Sequence, residues 1–246
     1  LSAALIIEEG FGLDQLQAIV SAMSRAAAHA GVTVVTGDTK VVPRGAADKI
    51  FINTSGIGVI PSGVQVASHR ARPGDRVLLS GTIADHGVSV LASREGLSFQ
   101  TSVQSDTAPL NHMVRSMLAA GPGVHALRDP TRGGLGTALN EIAEKSAVGI
   151  RIREDRIAVK AEVAGLCELL GLDPLYLANE GKLIAFVAPE DADAVLAAMR
   201  RDPYGRDAVL IGEVTVEHPG KVFMDTRIGG TRIVDMLTGE QLPRIC

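Results

Sequence analysis

The last residue of the chain is a cysteine, Cys246, and it follows a segment, Gln241-Leu242-Pro243-Arg244-Ile245, with no helical or strand periodicity. A thiolate is a good nucleophile and can carry an acyl-like group. On a mobile tail it can reach outward to one site and inward to another, the behaviour of a carrier arm. An exposed thiol is open to oxidation, which sets this position apart from an incidental tail residue. Three further clusters can do chemistry. In Gly37-Asp38-Thr39-Lys40, a glycine and polar groups follow an apolar run. Asp38 there can hold Mg²⁺, which favours one or two carboxylates together with phosphate oxygens. Lys40, two residues on, points to the same side of an extended chain and can meet phosphate or polarise a substrate. The same residues also suit a polar turn between strands. Arg128-Asp129-Pro130-Thr131-Arg132-Gly133-Gly134 stands before a helical pattern. Asp129 or Thr131 can cap that helix, its first N–H groups attract anions, and Arg132 adds a fork-shaped phosphate donor. It is not a Walker A loop, because no Gly-Lys-Ser/Thr follows. Asn179-Glu180-Gly181-Lys182 offers Glu180 as a general base if burial raises its pKa, or else a charged surface loop. His86, in Asp85-His86-Gly87, reads as a helix-start residue rather than a proton carrier, and Cys167, among Val163, Leu166, Leu169 and Leu170, reads as core.

The elements that must position these groups follow from periodicity. Residues 1–62 read β-α-β-β. A strand ends at Glu8-Glu9-Gly10, and Leu13, Leu16, Ile19, Val20, Met23 and Ala27 predict a helix over 13–30 that Gly31 stops. Val32–Val35 is expected to be a short buried strand running into Gly37–Lys40, and 49–60 a long β-rich stretch. Ala71-Arg72-Pro73-Gly74-Asp75 marks a turn. Beyond it the pattern predicts strands at 76–81, 149–152, 183–187, 208–216 and 222–224, with helices at 85–95, 110–119, 137–145, 161–170 and 192–199. The organisation expected is a first domain over 1–64, a second α/β or α+β layered domain over 65–240, and a tail over 241–246.

Composition removes other classes. The 246 residues carry 24 Lys and Arg against 28 Asp and Glu, a net charge of −4, so no global basic field attracts nucleic acid. Hydrophobic stretches are broken by charges or glycines before reaching membrane-spanning length. Two cysteines make no disulfide framework and point to a reducing, cytoplasmic setting. Leu1-Ser2-Ala3-Ala4-Leu5-Ile6-Ile7 has neither a basic lead nor a cleavage pattern.

Together, Gly37-Asp38-Thr39-Lys40-Val41-Val42, Asp85-His86-Gly87, Arg128-Asp129-Pro130-Thr131-Arg132-Gly133-Gly134, Asn179-Glu180-Gly181-Lys182-Leu183 and the ending Pro243-Arg244-Ile245-Cys246 resemble the HypE family of hydrogenase maturation proteins, in order and over the whole chain. That family belongs to the superfamily of aminoimidazole ribonucleotide synthetase and selenophosphate synthetase. The resemblance implies two layered α+β/α/β domains, the first forming a homodimer, with ATP in the cleft. It implies that a carbamoyltransferase, HypF, loads a carbamoyl group onto Cys246, and that ATP-dependent dehydration turns the thiocarboxamide into a thiocyanate. The cyanide then passes to the iron of a nickel–iron hydrogenase on a scaffold of HypC and HypD. By motif position, Gly37, Asp38, Thr39, Asp129, Thr131, Arg132 and Gly133 would hold the nucleotide, with Asp38 and Asp129 on Mg²⁺. Lys40, Glu180 and Cys246 would carry the chemistry, the first two flanking the tail thiocarboxamide as electrostatic and proton-transfer groups.

Family members carry a further Gly-rich, acidic N-terminal segment. A chain opening at Leu1, in the middle of an apolar run, is expected to have an incomplete first domain and to bind ATP weakly. A truncated, non-catalytic docking module for maturation partners is therefore a competing reading. Another synthetase or small-molecule kinase of the superfamily is a third, which the terminal thiol disfavours because a diffusible substrate needs no carrier.

Overall fold

A computed structural model describes residues 1–94 and 102–239. The chain forms two compact units, Leu1–Gly63 and Val64 onward. In the first, β1 (Ser2–Glu8), α1 (Leu13–Ala30), β2 (Thr36–Val42) and β3 (Ile50–Ser55) give a three-stranded sheet in the order β2-β1-β3. β1 and β2 run parallel, a pairing that requires a crossover, and α1 supplies it. α1 spans the expected residues, with Asp14 in its first turn and a left-handed Gly31 as its stop.

Two expectations for this unit fail. Val32–Val35 is not a buried strand: the four residues lie outside regular structure and Val35 is 76% exposed. The strand starts at Thr36, so Gly37–Lys40 lies inside β2 instead of in a turn after it. The register explains this. Gly37 pairs with Ala3, and a Cβ there would collide with the Ala3 carbonyl, so the glycine is what lets β2 close on β1. The second failure is at 56–60. β3 already matches β1 along its length, ending at Ser55 opposite Ser2, and Gly56–Ile60 has no strand to pair with.

The second unit is built on a seven-stranded sheet in the order β10-β9-β6-β8-β4-β7-β5. Its strands are β4 (Arg76–Leu79), β5 (Val124–Arg128), β6 (Gly149–Arg153), β7 (Ile184–Val187), β8 (Val209–Thr215), β9 (Val222–Asp225) and β10 (Thr231–Val234). All neighbours pair antiparallel except β6 with β9. Alternation along β4 separates two cores. Val77 and Leu79 join Ile150, Ile152, Ile184 and Phe186 beneath α4 (Gly134–Ser146), which contributes Leu135, Leu139 and Ile142. Leu78 faces the other way with Ala185 and Val187, against Met113 and Met117 of α3 (Asn111–Ala120) and Val195 and Met199 of α6 (Pro189–Arg201). A third cluster joins Val88 of α2 (Asp85–Arg94) to Val163 and Cys167 of α5 (Ala161–Leu170). β5 and β10 are absent from the sequence reading, and both sit at the sheet edges. Among the described residues no helix is long and apolar enough to cross a membrane.

Candidate active site

Antiparallel pairing brings the end of β4, the end of β5 and the start of β7 to one end of the second sheet. Each of the three leads into or out of one of the motifs. Asn179, fully buried, ties them together. Its Oδ1 accepts the Ala84 N–H at 2.8 Å, and its Nδ2 donates to the carbonyls of Pro130 at 2.9 Å and Leu177 at 3.0 Å. Its own N–H reaches Pro130 O at 3.2 Å. One amide side chain thus satisfies backbone groups from all three loops, in an interior where each would be costly if left alone. Ser80 does the same on a smaller scale, its Oγ accepting the Leu183 N–H at 3.0 Å.

The Arg128–Gly134 segment departs from the expected cap. Neither Asp129 nor Thr131 caps α4. The Thr131 hydroxyl donates to Asp129 Oδ2 at 2.9 Å, and Arg128 pairs with Asp129 Oδ1 and Glu141 Oε2, each at 3.0 Å. The helix starts at Gly134, and the residue before it, Gly133, makes no side-chain cap. The cause is the glycine pair: both residues are left-handed, at φ +69° and +61°, and this turn lifts Asp129 and Thr131 clear of the first helical amides. A Cβ on Gly134 would lie 2.5 Å from Leu175 O and 2.6 Å from Leu177 O. The result is a helix end without a side-chain acceptor, beside an Asp129 carboxylate 56% exposed and the exposed Arg132. Such an end favours an anion.

Glu180 stands on the facing loop, half-buried. Burial pushes its carboxyl above the usual range; Asp106 and Asp129 push the same way, while His86 and Arg132 oppose them. Its N–H donates to Asp106 Oδ1 at 2.9 Å, and Asp106 Oδ2 lies 3.0 Å from Lys182 Nζ. His86, second residue of α2, has its Nδ1 2.8 Å from Ser105 Oγ. Sequence reasoning gives no part to Asn179, Asp106 or Lys182. Two of them lie in a motif that it singles out, whereas nothing local marks Asp106, 74 positions from its partner.

The other predicted residues belong to the first unit. Gly37, Asp38, Thr39 and Lys40 lie on β2, where Asp38 and Lys40 pair with Ala4 and Ile6 and share a face. All four are exposed, and Asp38 Oδ1 accepts the Thr39 N–H at 2.8 Å. Cys246 lies outside the described residues. Cys167 is buried as expected, although Leu169 and Leu170 beside it are exposed. Among the described residues no three His, Cys, Asp or Glu side chains gather as a metal cage. A lone exposed carboxylate such as Asp129 beside an anion-accepting helix end does fit Mg²⁺ bound chiefly through phosphate oxygens.

Known proteins share this frame. The AIR synthase related protein N-terminal domain matches residues 1–60 and the C-terminal domain of the same family matches 72–225. Carbamoyl dehydratase HypE of Cupriavidus necator is 56% identical over 246 residues, covering 100% of this chain and 70% of the relative. A crystal structure of hydrogenase maturation protein HypE in complex with ATP superposes with a TM-score of 0.94 at 50% identity, covering 100% of this chain and 74% of that one. A HypE–HypF complex gives 0.92 at 49% identity, covering 95% and 76%. With the three motif loops of the second unit in one cluster and identity above half along its full length, the chain belongs to the HypE family of hydrogenase maturation proteins, on the two-domain AIR synthase-related fold.

Proposed function

We propose that this protein dehydrates a carbamoyl group on the Cys246 thiol to a thiocyanate, the source of a cyanide ligand for the iron of a nickel–iron hydrogenase. The observation that carries this is the Glu180 carboxyl, lifted above its ordinary range by burial and placed across from the uncapped end of α4. Dehydration removes the carbonyl oxygen and both nitrogen protons, one water in all. ATP with Mg²⁺ supplies the phosphoryl group that makes the oxygen a leaving group.

The chain's own residues do the rest. Glu180, more basic than an exposed carboxylate, takes a proton from nitrogen. The α4 amides, Gly133, Thr131 and Arg132 hold phosphate charge, and Asp129 takes a place on the metal. The family resemblance assigns Gly37, Asp38 and Thr39 to nucleotide and metal binding and Lys40 to positive charge for the thiocarboxamide. A crystallised relative's pairing with HypF supports HypF as the carbamoyl donor. HypC and HypD are the proposed acceptors of the cyanide, self-pairing through the first unit the proposed assembly, and a reducing cytoplasm the setting.

Intact mass tests the reading. Incubation with HypF, carbamoyl phosphate and Mg-ATP should add one carbamoyl group and then lose one water, and Cys246→Ala should show neither change. Wild-type protein that never gains mass would overturn the carrier thiol and favour a docking module.

A further inference from the structure

We propose that Asp106 is a positioning residue for this dehydration: one carboxylate oxygen holds the Glu180 main chain, the other holds the Lys182 ammonium, and the two side chains flanking Gly181 are thereby fixed around a single buried charge. The inference rests on Glu180 as the proton acceptor.

The geometry is specific. Asp106 lies on an irregular segment, Ser102–Leu110, that crosses from α2 to the Asn179–Lys182 loop. Its side chain is 3% exposed and that of Lys182 is 11%. A carboxylate buried so far must be paired, and removing its partner would be strongly unfavourable. Oδ1 accepts the Glu180 N–H at 2.9 Å. Oδ2 sits 3.0 Å from Lys182 Nζ yet takes no hydrogen bond of good geometry, so the ammonium is held by charge with its N–H directions not spent on Asp106. The segments also meet backbone to backbone, since any Cβ on Gly181 would collide with the Asp106 carbonyl. The same segment is pinned at its other side, where Ser105 Oγ meets His86 Nδ1 at 2.8 Å and Thr107 Oγ1 at 2.7 Å. One short segment therefore fixes His86, Glu180 and Lys182 relative to one another.

The electrostatic consequence has a definite sign. Asp106 is a like charge beside Glu180 and favours its protonated form, and the Lys182 ammonium offsets that charge from 3.0 Å away. The remaining charged groups that act on Glu180 are His86 from α2, and Asp129 and Arg132 from the β5–α4 turn, and these are left intact in every variant below.

The test uses the full protein carbamoylated by HypF, with loss of water followed by intact mass across pH. Asp106→Asn keeps an oxygen for the Glu180 N–H and removes the charge. It should slow dehydration by about tenfold or more while leaving the KM for ATP within about twofold, and should move the acid limb of the rate to lower pH. Lys182→Met should move that limb to higher pH, and the double variant should bring it back towards the wild-type position. A merely structural role would move both single variants alike. On uncarbamoylated protein, Asp106→Ala but not Asp106→Asn should abolish hydrogen-exchange protection of the Glu180 amide. Equal protection in both variants, limbs shifting in the same direction, or an Asp106→Asn protein dehydrating at the wild-type rate would each overturn the proposal. Failure of the wild-type protein to lose water would instead overturn the proposed function, and with it the catalytic part of the role of Asp106, while leaving the amide-protection result to judge the geometry.

Discussion

Glu180 carries two opposed consequences of one burial. As a base it gains from a raised pKa; as a component of the folded state it costs stability once ionised. The ordinary value is 4.5 and the folded one lies above it, so the folded protein binds more protons than the unfolded chain between the two. Stability is therefore fully present below the ordinary value and is lost as pH rises through the folded one. Glu180→Gln should remove both effects. Carbamoylation should persist while water loss slows by about 10² or more, the lower range for a positioned base. The melting temperature of the variant should exceed that of wild type at about pH 7.5, and the difference should shrink near pH 4.5 in paired scanning calorimetry. A variant that dehydrates normally would remove Glu180 from the mechanism. Cys167 shows burial acting on a thiol. Burial first, and Asp173 second, push it up to about 11, so at pH 8 only ~0.1% is thiolate. Native alkylation followed by mass should leave Cys167 unmodified until denaturant is added; rapid labelling would contradict its place in the α2–α5 core.

The site's elements show what is and is not legible in the sequence. α1 and α5 are legible because a helical apolar period runs into a glycine that adopts the left-handed stop, at Gly31 and Gly171. β5 is not. It is a short edge strand whose polar residues look like a loop, yet His125 Nδ1 sits 2.9 Å from the buried Asp75 carboxylate and Arg128 spans Asp129 and Glu141. Those partners are 50, one and 13 positions away, and nothing in the local pattern announces them. The start of α4 departs from its sequence pattern for a related reason. Asp129 and Thr131 have the composition of caps, but the glycine pair after them takes the chain through two left-handed residues. This makes the two glycines separable by mutation. A methyl at Gly133 meets one side chain, Thr137, whose Oγ1 can rotate away so that only its Cβ must give; a methyl at Gly134 meets the carbonyls of Leu175 and Leu177, which belong to the loop that Asn179 clamps. Gly134→Ala should therefore lower the melting temperature, and weaken binding of a nonhydrolysable ATP analogue in calorimetry, more than Gly133→Ala does. The reverse order would mean that this loop is not rigid. Asn179→Ala should be costlier than a single lost hydrogen bond, about 2–4 kcal/mol by denaturant unfolding, because it strands the Ala84 N–H and the Leu177 carbonyl together, whereas Pro130 O keeps the main-chain N–H of residue 179.

At the scale of the whole molecule, the two units differ in how much they enclose. The second has clusters on both faces of its sheet, whereas the first contributes a single buried apolar side chain, Ile7, still 8% exposed. Three strands and one helix are close to the least that an independently stable sheet requires, and this set encloses little. Segment 56–60, whose sequence pattern predicts a strand, instead carries Ile57 and Val59 at 102% and 93% exposure. An apolar surface of this kind is what self-association covers, and its burial would stabilise the first unit by mass action. Sedimentation velocity should accordingly show association rising with concentration. Two such side chains fully buried are worth about 3 kcal/mol or more, so Ile57→Ser with Val59→Ser should weaken dimerisation by about a hundredfold. Hydrogen exchange supplies a second readout on the same samples. Protection of β1–β3 amides should grow with protein concentration in wild type and stay low in the double variant, while β4–β8 amides are unchanged in both. If the variant associates as wild type does, segment 56–60 is not the contact. If concentration leaves β1–β3 protection unchanged in wild type, the first unit holds its fold without a partner, and self-pairing is not what stabilises it.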